Sequence, residues 1–184
     1  MLLSIRPRRA VFRLSLLGSF ALTLTGCWEM GTAGDAKIPG DLLGDYSVEA
    51  ELESSTCGEG ALGSEHSWKF DVRLSRSGSA LYWLNGQEAI SGVIDAEGAF
   101  TIETNVKVQT QAAGRGRLGC VIWRMDRTSG KLVGQGADVP GFTGKLRFGY
   151  APEQNSDCSE LLGVSGGFAT LPCEMTYGYA GVRR

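Results

Sequence analysis

A two-residue alternation of apolar and polar side chains recurs in several segments of this 184-residue chain, and it constrains the fold more than any other feature. The segment 45–53 is typical, because its apolar residues fall at every second position: Tyr46, Val48, Ala50 and Leu52. Such a period indicates a β-strand with one buried face. The segment 67–75 repeats the pattern with the outer residues Lys69, Asp71 and Arg73, which are mainly basic, so we expect these two strands to pair antiparallel.

Further strands are predicted along the rest of the chain, at 80–84, 88–95, 100–109, 118–126, 131–136, 142–150 and 174–179. Turn signals separate several of them. Asn85-Gly86 favours a tight hairpin in which both residues have positive φ. Ser129-Gly130 and Pro140-Gly141 predict two further interruptions. The segment 118–126 is apolar on both faces, which predicts a strand that is covered on both sides.

Strands in succession, without a helical period between them, predict an all-β meander. Closing into a barrel removes the exposed strand edges, so we expect a single antiparallel barrel of about eight strands with an extra C-terminal strand at 174–179. A two-sheet β-sandwich is the alternative. Gly44-Asp45-Tyr46 resembles the Gly-x-Trp that opens lipocalins, and this resemblance implies a lipocalin-like barrel.

Six large aromatic residues can either line a ligand-binding calyx inside such a barrel or fill its interior. They are Trp68, Trp83, Phe100, Trp123, Phe142 and Phe148.

The N-terminal region carries four arginines and no acid in residues 1–13, followed by a short apolar run that ends at Leu24-Thr25-Gly26-Cys27. This tetrapeptide resembles the lipobox of bacterial lipoproteins. The resemblance implies that residues 1–26 are a cleaved signal peptide and that Cys27 becomes a diacylglycerol-modified, palmitate-bearing membrane anchor. An ordinary secretory signal and an uncleaved anchor are the alternatives.

After the anchor, residues 27–43 are expected to form a tether and residues 44–184 the β domain. The alternative is that Ile38, Leu42 and Leu43 pack onto that domain. Trp28 follows Cys27 where enteric inner-membrane lipoproteins have an aspartate. The resemblance therefore favours the outer membrane if the cell is Gram-negative, with the domain exported into the periplasm or facing the cell surface.

Assigning Cys27 to lipid leaves an even set of cysteines, which are expected to form two disulfides in an oxidising compartment: Cys57, Cys120, Cys158 and Cys173. In a meander, Cys57 and Cys120 fall at one rim, and Cys158 and Cys173 bracket a long connection. We therefore expect Cys57–Cys120 and Cys158–Cys173. Cys57–Cys173 with Cys120–Cys158 is the alternative.

Charge argues against nucleic acid as a partner. All 20 acids but only 14 of the 18 basic residues lie after position 26, so the exported part has a net charge near −6.

No string of residues makes a convincing catalytic, metal or cofactor site. Gly163-Val164-Ser165-Gly166-Gly167 has the spacing of a nucleophile elbow, but neither an acid–histidine pair downstream nor a helix is predicted. Gly114, Gly116 and Gly119 match a dinucleotide-binding spacing without the helix that it needs. The only histidine, His66, lacks a second ligand for zinc. We expect no enzyme, no metal and no cofactor.

The remaining expectation is a membrane-anchored envelope lipoprotein whose β domain is a binding or interaction module, for an envelope protein or a small apolar ligand. The connections 54–66 and 110–117 fall at one rim of the barrel, where binding residues are commonly found. Their polar members are the candidate binding residues: Glu59, His66, Arg115 and Arg117. A structural envelope lipoprotein without a discrete ligand is the first alternative, and a hydrolase the second.

Overall fold

Eight antiparallel strands follow one another along the chain and close into a barrel. The computed structural model describes residues 38–59, 61, 66–86, 88–114, 116–135, 138–163 and 167–184. The strands are β1 (Asp41–Ser55), β2 (Ser67–Ser77), β3 (Ala80–Leu84), β4 (Ala89–Ile94), β5 (Ala99–Gln111), β6 (Cys120–Gln135), β7 (Asp138–Pro152) and β8 (Cys173–Arg183). A short 3₁₀ helix at Ser159–Leu161 lies between β7 and β8. Since β8 pairs with both β7 and β1, the barrel prediction is confirmed over the sandwich.

The first two strands pair as their charges predict. Glu49 lies opposite Lys69 and Asp45 opposite Arg73 in the β1–β2 ladder. Lys69 forms an ion pair with Glu49, and the Arg73 Nε donates to Asp45 Oδ1 at 2.8 Å. Opposite charges on facing strand positions contribute about 0.2–1 kcal/mol per pair.

The predicted turn at Ser129-Gly130 is wrong, because both residues lie inside β6. Gly130 pairs with Phe100 of β5 on one side and with Gly144 of β7 on the other. Its role is to make room rather than to turn the chain, since a Cβ there would lie 2.7 Å from the Phe100 ring. The segments 118–126 and 131–136 are therefore parts of one long strand.

The predicted break at Pro140-Gly141 is also wrong, because β7 begins at Asp138 and includes both residues. With these two corrections the strand at 174–179 is not an addition to the barrel. It is part of β8, the eighth strand, which closes the sheet.

The β3–β4 hairpin forms where Asn85-Gly86 predicts it, but with a different turn. Leu84 pairs with Ala89, so four residues connect the strands. Neither Asn85 nor Gly86 has a positive φ, so the predicted two-residue turn is wrong.

The meander places its connections alternately at the two ends of the barrel. We call the end with the connections 78–79, 95–98 and 136–137 the turn end, since these are short. The opposite end carries the connections 56–66, 85–88, 112–119 and 153–172, and we call it the loop end. The predicted sharing of one rim by the 54–66 and 110–117 regions is therefore confirmed.

The interior near the turn end is filled by a group of rings that we call the ring cluster: Tyr46, Trp83, Phe100, Phe142 and Tyr179. Phe142 is its centre, with ring centroids 5.1 Å from Tyr46, 5.5 Å from Trp83 and 5.8 Å from Tyr179. Gly181 makes room for it, because a Cβ there would lie 2.4 Å from the Phe142 ring. The Tyr46 hydroxyl donates to the Val139 carbonyl at 2.9 Å, which satisfies its buried oxygen.

The outer face of β6 is not covered as predicted. Trp123 and Met125 lie on the face opposite the buried Ile122, and Met125 is 45% exposed. Trp123 is half-buried beneath Lys107, whose Nζ lies 4.8 Å from the ring centroid. This aromatic residue therefore belongs to the outside of the barrel.

The first strand of the barrel, β1, begins at Asp41, which is before the predicted domain boundary at residue 44. Leu43 is buried and Leu42 is exposed, so the two leucines divide between the core and the solvent. Residues 36–184 form one compact unit that contains every strand pair and both disulfides, so this unit is expected to fold by itself. The lipobox, Cys27 and the tether up to residue 37 lie outside the described residues.

Candidate functional site

Both disulfides lie at the loop end of the barrel, but the pairing that we expected is wrong. Cys57 bonds to Cys173, and Cys120 bonds to Cys158, which is the alternative pairing. The order of strands around the barrel explains this. Because β1 lies beside β8, Cys57 follows β1 close to the point where β8 begins, whereas Cys120 in β6 lies beside the end of β7. A shared rim was therefore insufficient to decide the pairing.

The predicted polar residues are spread around the loop end rather than gathered at one point. Glu59 and His66 are both exposed, and the His66 carbonyl accepts a hydrogen bond from the Leu52 amide at 2.7 Å. Arg117 forms an ion pair with Glu160 of the β7–β8 connection. Arg115 lies outside the described residues, as does Ser165 of the glycine-rich string.

Glu160 joins two connections of the loop end. Besides its ion pair with Arg117, it accepts a hydrogen bond from Gln111 Nε2 at 2.8 Å. The β7–β8 connection also contacts the β1–β2 connection, because the Ala169 amide donates to the Cys57 carbonyl at 2.6 Å. Together with the disulfides, these contacts hold the rim over strands β1, β8, β7 and β6.

Inside the barrel, between the ring cluster and the loop end, lies a cavity of about 390 Å³. Six of the eight strands, β2 to β7, and the β3–β4 connection contribute to its wall. The lining residues are Trp68, Phe70, Trp83, Asn85, Ile90, Ile102, Thr104, Arg124, Asp126, Thr128, Leu146 and Phe148. Its size falls within the range of about 300–1,000 Å³ that is typical of small-molecule sites.

Aromatic rings form much of the cavity wall. Trp68 stacks on Phe70 with ring centroids 4.7 Å apart, and Phe70 lies 6.3 Å from Trp83. Trp83 also belongs to the ring cluster, so it is the floor of the cavity. Of the six aromatic residues considered for a calyx, Trp68, Trp83 and Phe148 line the cavity, while Phe100 and Phe142 fill the barrel below it.

One charged pair interrupts this apolar wall. Arg124 and Asp126 lie two residues apart on β6 and so point to the same side of the sheet, into the cavity. Arg124 Nε donates to Asp126 Oδ1 at 2.8 Å, and Nη2 lies 2.7 Å from Oδ2. The guanidinium also lies 5.2 Å from the centroid of the Phe148 ring. The side chains are 40% and 24% exposed, so the pair is partly screened from water.

Burial and the charge of Asp126 have opposite effects on the pKa of Arg124. Burial alone would lower the pKa of Arg124, but the hydrogen bond and the negative charge of Asp126 outweigh it, so the pKa is raised. Burial raises the pKa of the neighbouring Tyr150, and the positive charge of Arg124 only partly opposes that rise. The cavity wall therefore holds a charged but mutually neutralised pair, whereas the phenol of Tyr150, which is protonated, is not among the lining residues.

Two buried polar atoms near the pair have no hydrogen-bond partner among the described residues. They are the indole N–H of Trp68 and the hydroxyl of Tyr150. Tyr150 lies directly opposite Arg124 in the β6–β7 ladder. A buried donor without an acceptor destabilises a protein by about 1–3 kcal/mol, so each of these groups would gain from an acceptor atom.

The ladder between β4 and β5 is short. Among the described residues these strands pair only at Val93–Thr101 and Ile94–Phe100, close to the turn end. Farther toward the loop end, Ile90 and Thr104 still line the cavity, and Val106 is 50% exposed. The rest of β5 toward the loop end therefore has no ladder partner in β4 among the described residues.

Sequence reasoning missed Arg124 and Asp126, although a signal was present. The segment 121–126 alternates Val121, Trp123 and Met125 with Ile122, Arg124 and Asp126. Either set can face inward by period alone. The inward set is identified by residues farther along β6, because Thr128 and Leu132 lie on the same face as Ile122 and are buried. The predicted turn at Ser129-Gly130 concealed that these residues belong to one strand.

Smaller depressions are also present among the described residues. A cavity of about 180 Å³ lies at the turn end beside Leu132, and a groove of about 310 Å³ lies along Arg127 and Arg147. Within the described ranges, no cluster of histidine, cysteine or acidic residues has the arrangement of a metal site. In the same part of the chain, no helix has the length and hydropathy needed to cross a membrane.

Comparison of the chain with protein-family models, curated proteins and solved structures found no significant match. The fold and the site define a class of protein: a disulfide-bonded, eight-stranded antiparallel meander barrel with a partly polar interior cavity.

Proposed function

We propose that this protein is an envelope lipoprotein whose barrel binds a small, mainly apolar molecule in the cavity at the loop end. The cavity of about 390 Å³ carries this proposal, because it is large, aromatic-walled and contains a small number of polar groups. That combination is the usual character of a small-molecule site. The proposed role of the cavity is binding, and the two charged groups of its wall, Arg124 and Asp126, are paired with each other.

The anchor in this proposal is Cys27, and its support is the sequence Leu24-Thr25-Gly26-Cys27. Two or three acyl chains on one residue hold a protein stably to a membrane, whereas a single chain holds it only marginally. The outer membrane is the proposed location in a Gram-negative cell. Intact mass of the membrane-extracted protein should show residues 1–26 removed and diacylglycerol on Cys27. A mature chain that starts elsewhere would contradict the anchor without affecting the cavity.

A protein-binding surface at the loop end stays a prediction. Its proposed members Glu59 and His66 are exposed, but Arg117 is already paired with Glu160. Charge reversal of Arg117 would therefore disturb the contact between two connections as well as the binding of any partner. Glu59→Lys is the cleaner test of that surface, because no contact of the Glu59 side chain is seen in the described structure.

The cavity is tested by titrating residues 36–184 with the uncharged fluorescent amine N-phenyl-1-naphthylamine. We expect saturable binding of one probe per barrel. Thr104→Trp places a large side chain into the cavity and should weaken binding at least tenfold. Thr101→Trp is the matched control, since Thr101 lies on the opposite face of β5. If the wild-type barrel does not bind the probe, or if both variants bind it equally well, the proposed function is wrong.

A further inference from the structure

The polar side chains of the cavity lie together on one part of its wall. Four of the lining residues on strands are polar, and all four lie on β5 or β6: Thr104, Arg124, Asp126 and Thr128. We call these four residues the polar wall. Thr104 lies opposite Asp126 in the β5–β6 ladder. Arg124 and Thr128 lie two residues before and after Asp126, on the same face of β6. Asn85, in the β3–β4 connection, is the other polar residue of the lining.

The other strands around the cavity contribute aromatic and aliphatic residues to the lining. These residues, on β2, β3, β4 and β7, are Trp68, Phe70, Trp83, Ile90, Leu146 and Phe148. The indole nitrogen of Trp68 has almost no accessible surface, so that ring offers no hydrogen bond to the cavity. Because β2 and β3 are three strands away from β5 and β6 in the closed sheet, the stacked Trp68 and Phe70 lie across the interior from the polar wall. A ligand therefore meets polar groups on one side and rings on the other.

The polar wall contains both donors and acceptors. The guanidinium of Arg124 only donates, the carboxylate of Asp126 only accepts, and the two threonine hydroxyls can do both. The guanidinium contacts Asp126 Oδ1 at 2.8 Å and Oδ2 at 2.7 Å. Each carboxylate oxygen has a second lone-pair site that can accept a further hydrogen bond. A hydroxyl group is the smallest group that can donate to this carboxylate and accept from a guanidinium or a threonine at the same time.

Charge and size restrict the ligand further. Because Arg124 and Asp126 neutralise each other, an anion near the guanidinium would also meet the carboxylate, and a cation near the carboxylate would also meet the guanidinium. An uncharged ligand avoids both repulsions. At about 30 Å³ per heavy atom, which is the volume that a water molecule occupies in the liquid, the cavity of about 390 Å³ holds about a dozen heavy atoms. A two-ring aromatic molecule with one hydroxyl group has this size and composition.

We infer that the ligand of this cavity is an uncharged, mainly apolar alcohol or phenol whose hydroxyl group donates to Asp126 and accepts from Arg124 or Thr104. This inference rests on the proposed function, since it specifies what the same cavity binds. The hydroxyl lies at the polar wall in this arrangement, and the apolar body lies against the aromatic residues of the other strands. Both sides of the cavity are then matched, and no polar group of the ligand is buried without a partner.

The test uses calorimetric titration of residues 36–184 with 2-naphthol, 2-methoxynaphthalene and naphthalene, and with 2-naphthoate as the charged comparison. The first three share one ring system, but 2-naphthol can donate and accept, 2-methoxynaphthalene can only accept and naphthalene can do neither. We expect 2-naphthol to bind most tightly, about two- to tenfold more tightly than 2-methoxynaphthalene, which is the factor that one hydrogen bond contributes. Burial of the rings alone would give the reverse order, because a hydroxyl that is buried without a partner loses its hydration.

A double variant removes the charged part of the polar wall without leaving an unpaired charge. Arg124→Met with Asp126→Val replaces the ion pair by apolar side chains, an exchange that is often neutral for stability. It should lose the preference for 2-naphthol while naphthalene binding is retained. Arg127→Met with Glu103→Val is the matched control, because these two residues form an ion pair at 3.2 Å on the outer face of the same two strands. The control should keep the preference.

The outcomes separate the two proposals. If neither N-phenyl-1-naphthylamine nor any of the naphthalenes binds, the proposed binding function fails, and this inference fails with it. If the cavity binds N-phenyl-1-naphthylamine or naphthalene but does not prefer 2-naphthol to 2-methoxynaphthalene, the cavity is a binding site and the hydroxyl inference is wrong. It is also wrong if the double variant keeps the preference. Tightest binding of 2-naphthoate would overturn it as well, because a charged group would then be preferred to the uncharged one.

Discussion

The turn end of the barrel is packed with rings and has a smaller cavity of about 180 Å³, whereas the loop end holds a cavity of about 390 Å³ and has its rim joined by two disulfides. At the turn end, Phe142 contacts the other four members of the ring cluster, and glycines such as Gly181 allow them to approach. At the loop end, Cys57–Cys173 and Cys120–Cys158 connect the long loops. The difference suggests that covalent bonds hold the rim where side chains do not fill the interior.

The largest expected effect comes from removing the bond between Cys57 and Cys173. Its sequence separation is 116 residues, against 38 for Cys120–Cys158. In the chain-entropy model, alanine at both cysteines of the longer loop lowers the free energy of unfolding by about 5 kcal/mol, and of the shorter loop by about 4 kcal/mol. Urea unfolding of residues 36–184 measures both. Losses below about 1 kcal/mol would show that the disulfides do not hold the loop end.

A matched pair of phenylalanines compares the two ends directly. Phe142→Ala removes the centre of the ring cluster, where the side chain is 1% exposed, and should lower the free energy of unfolding by about 3–5 kcal/mol. Phe70→Ala should lower it by less than half as much, because Phe70 is half-buried and borders the cavity. Equal losses in urea unfolding would mean that the two ends are packed alike.

The ring cluster should also make the barrel sensitive to alkali. Burial raises the pKa of Tyr179, so its hydroxyl stays protonated in the folded protein above pH ~10, where the unfolded side chain ionises. This contribution to stability is complete below pH ~10 and is lost as the pH rises further, at up to about 1.4 kcal/mol per pH unit.

Tyr179→Phe removes this titration and should flatten the fall in stability above pH ~10. At pH 7 the substitution should have little effect, since the hydroxyl donates only a long 3.4 Å hydrogen bond to the Ser129 carbonyl. The measurement is thermal unfolding of the variant and the wild type between pH 7 and 11. An unchanged slope in the variant would exclude Tyr179 as the source.

The smallest effect is expected for the ion pair between Arg117 and Glu160 at the loop end. The two side chains are 59% and 55% exposed, and exposed pairs contribute about 0–1 kcal/mol. Arg117→Ala should therefore change the free energy of unfolding by less than about 1 kcal/mol in urea. A loss above 2 kcal/mol would show that this contact, and not only the disulfides, holds the rim.

The barrel and most of its strands were predictable from alternation, since a half-buried strand must repeat every two residues. The errors fall where one residue type has two structural uses. Gly130 and Gly141 read as turn residues, but they lie in long strands, where Gly130 makes space for the Phe100 ring. A pattern of residues along the chain carries no information about which rings occupy the interior beside a glycine.

The cavity was less predictable than the fold. Aromatic residues can fill a barrel or line a space, and the outcome depends on how neighbouring strands align. Trp83 does both, since it contacts Phe142 below and borders the cavity above. The disulfide pairing was missed for a related reason: it depends on the closure of β8 onto β1, which no local pattern in either strand contains.

The most direct test of the contrast between the ring-packed end and the hollow end is a crystal structure of residues 36–184 grown with N-phenyl-1-naphthylamine. We expect one molecule of the probe inside the loop end, in contact with Trp83 and Phe148 of the cavity wall. The ring cluster below should be unchanged. A cavity closed by its own side chains, or a ligand bound only on the outer surface, would contradict the account.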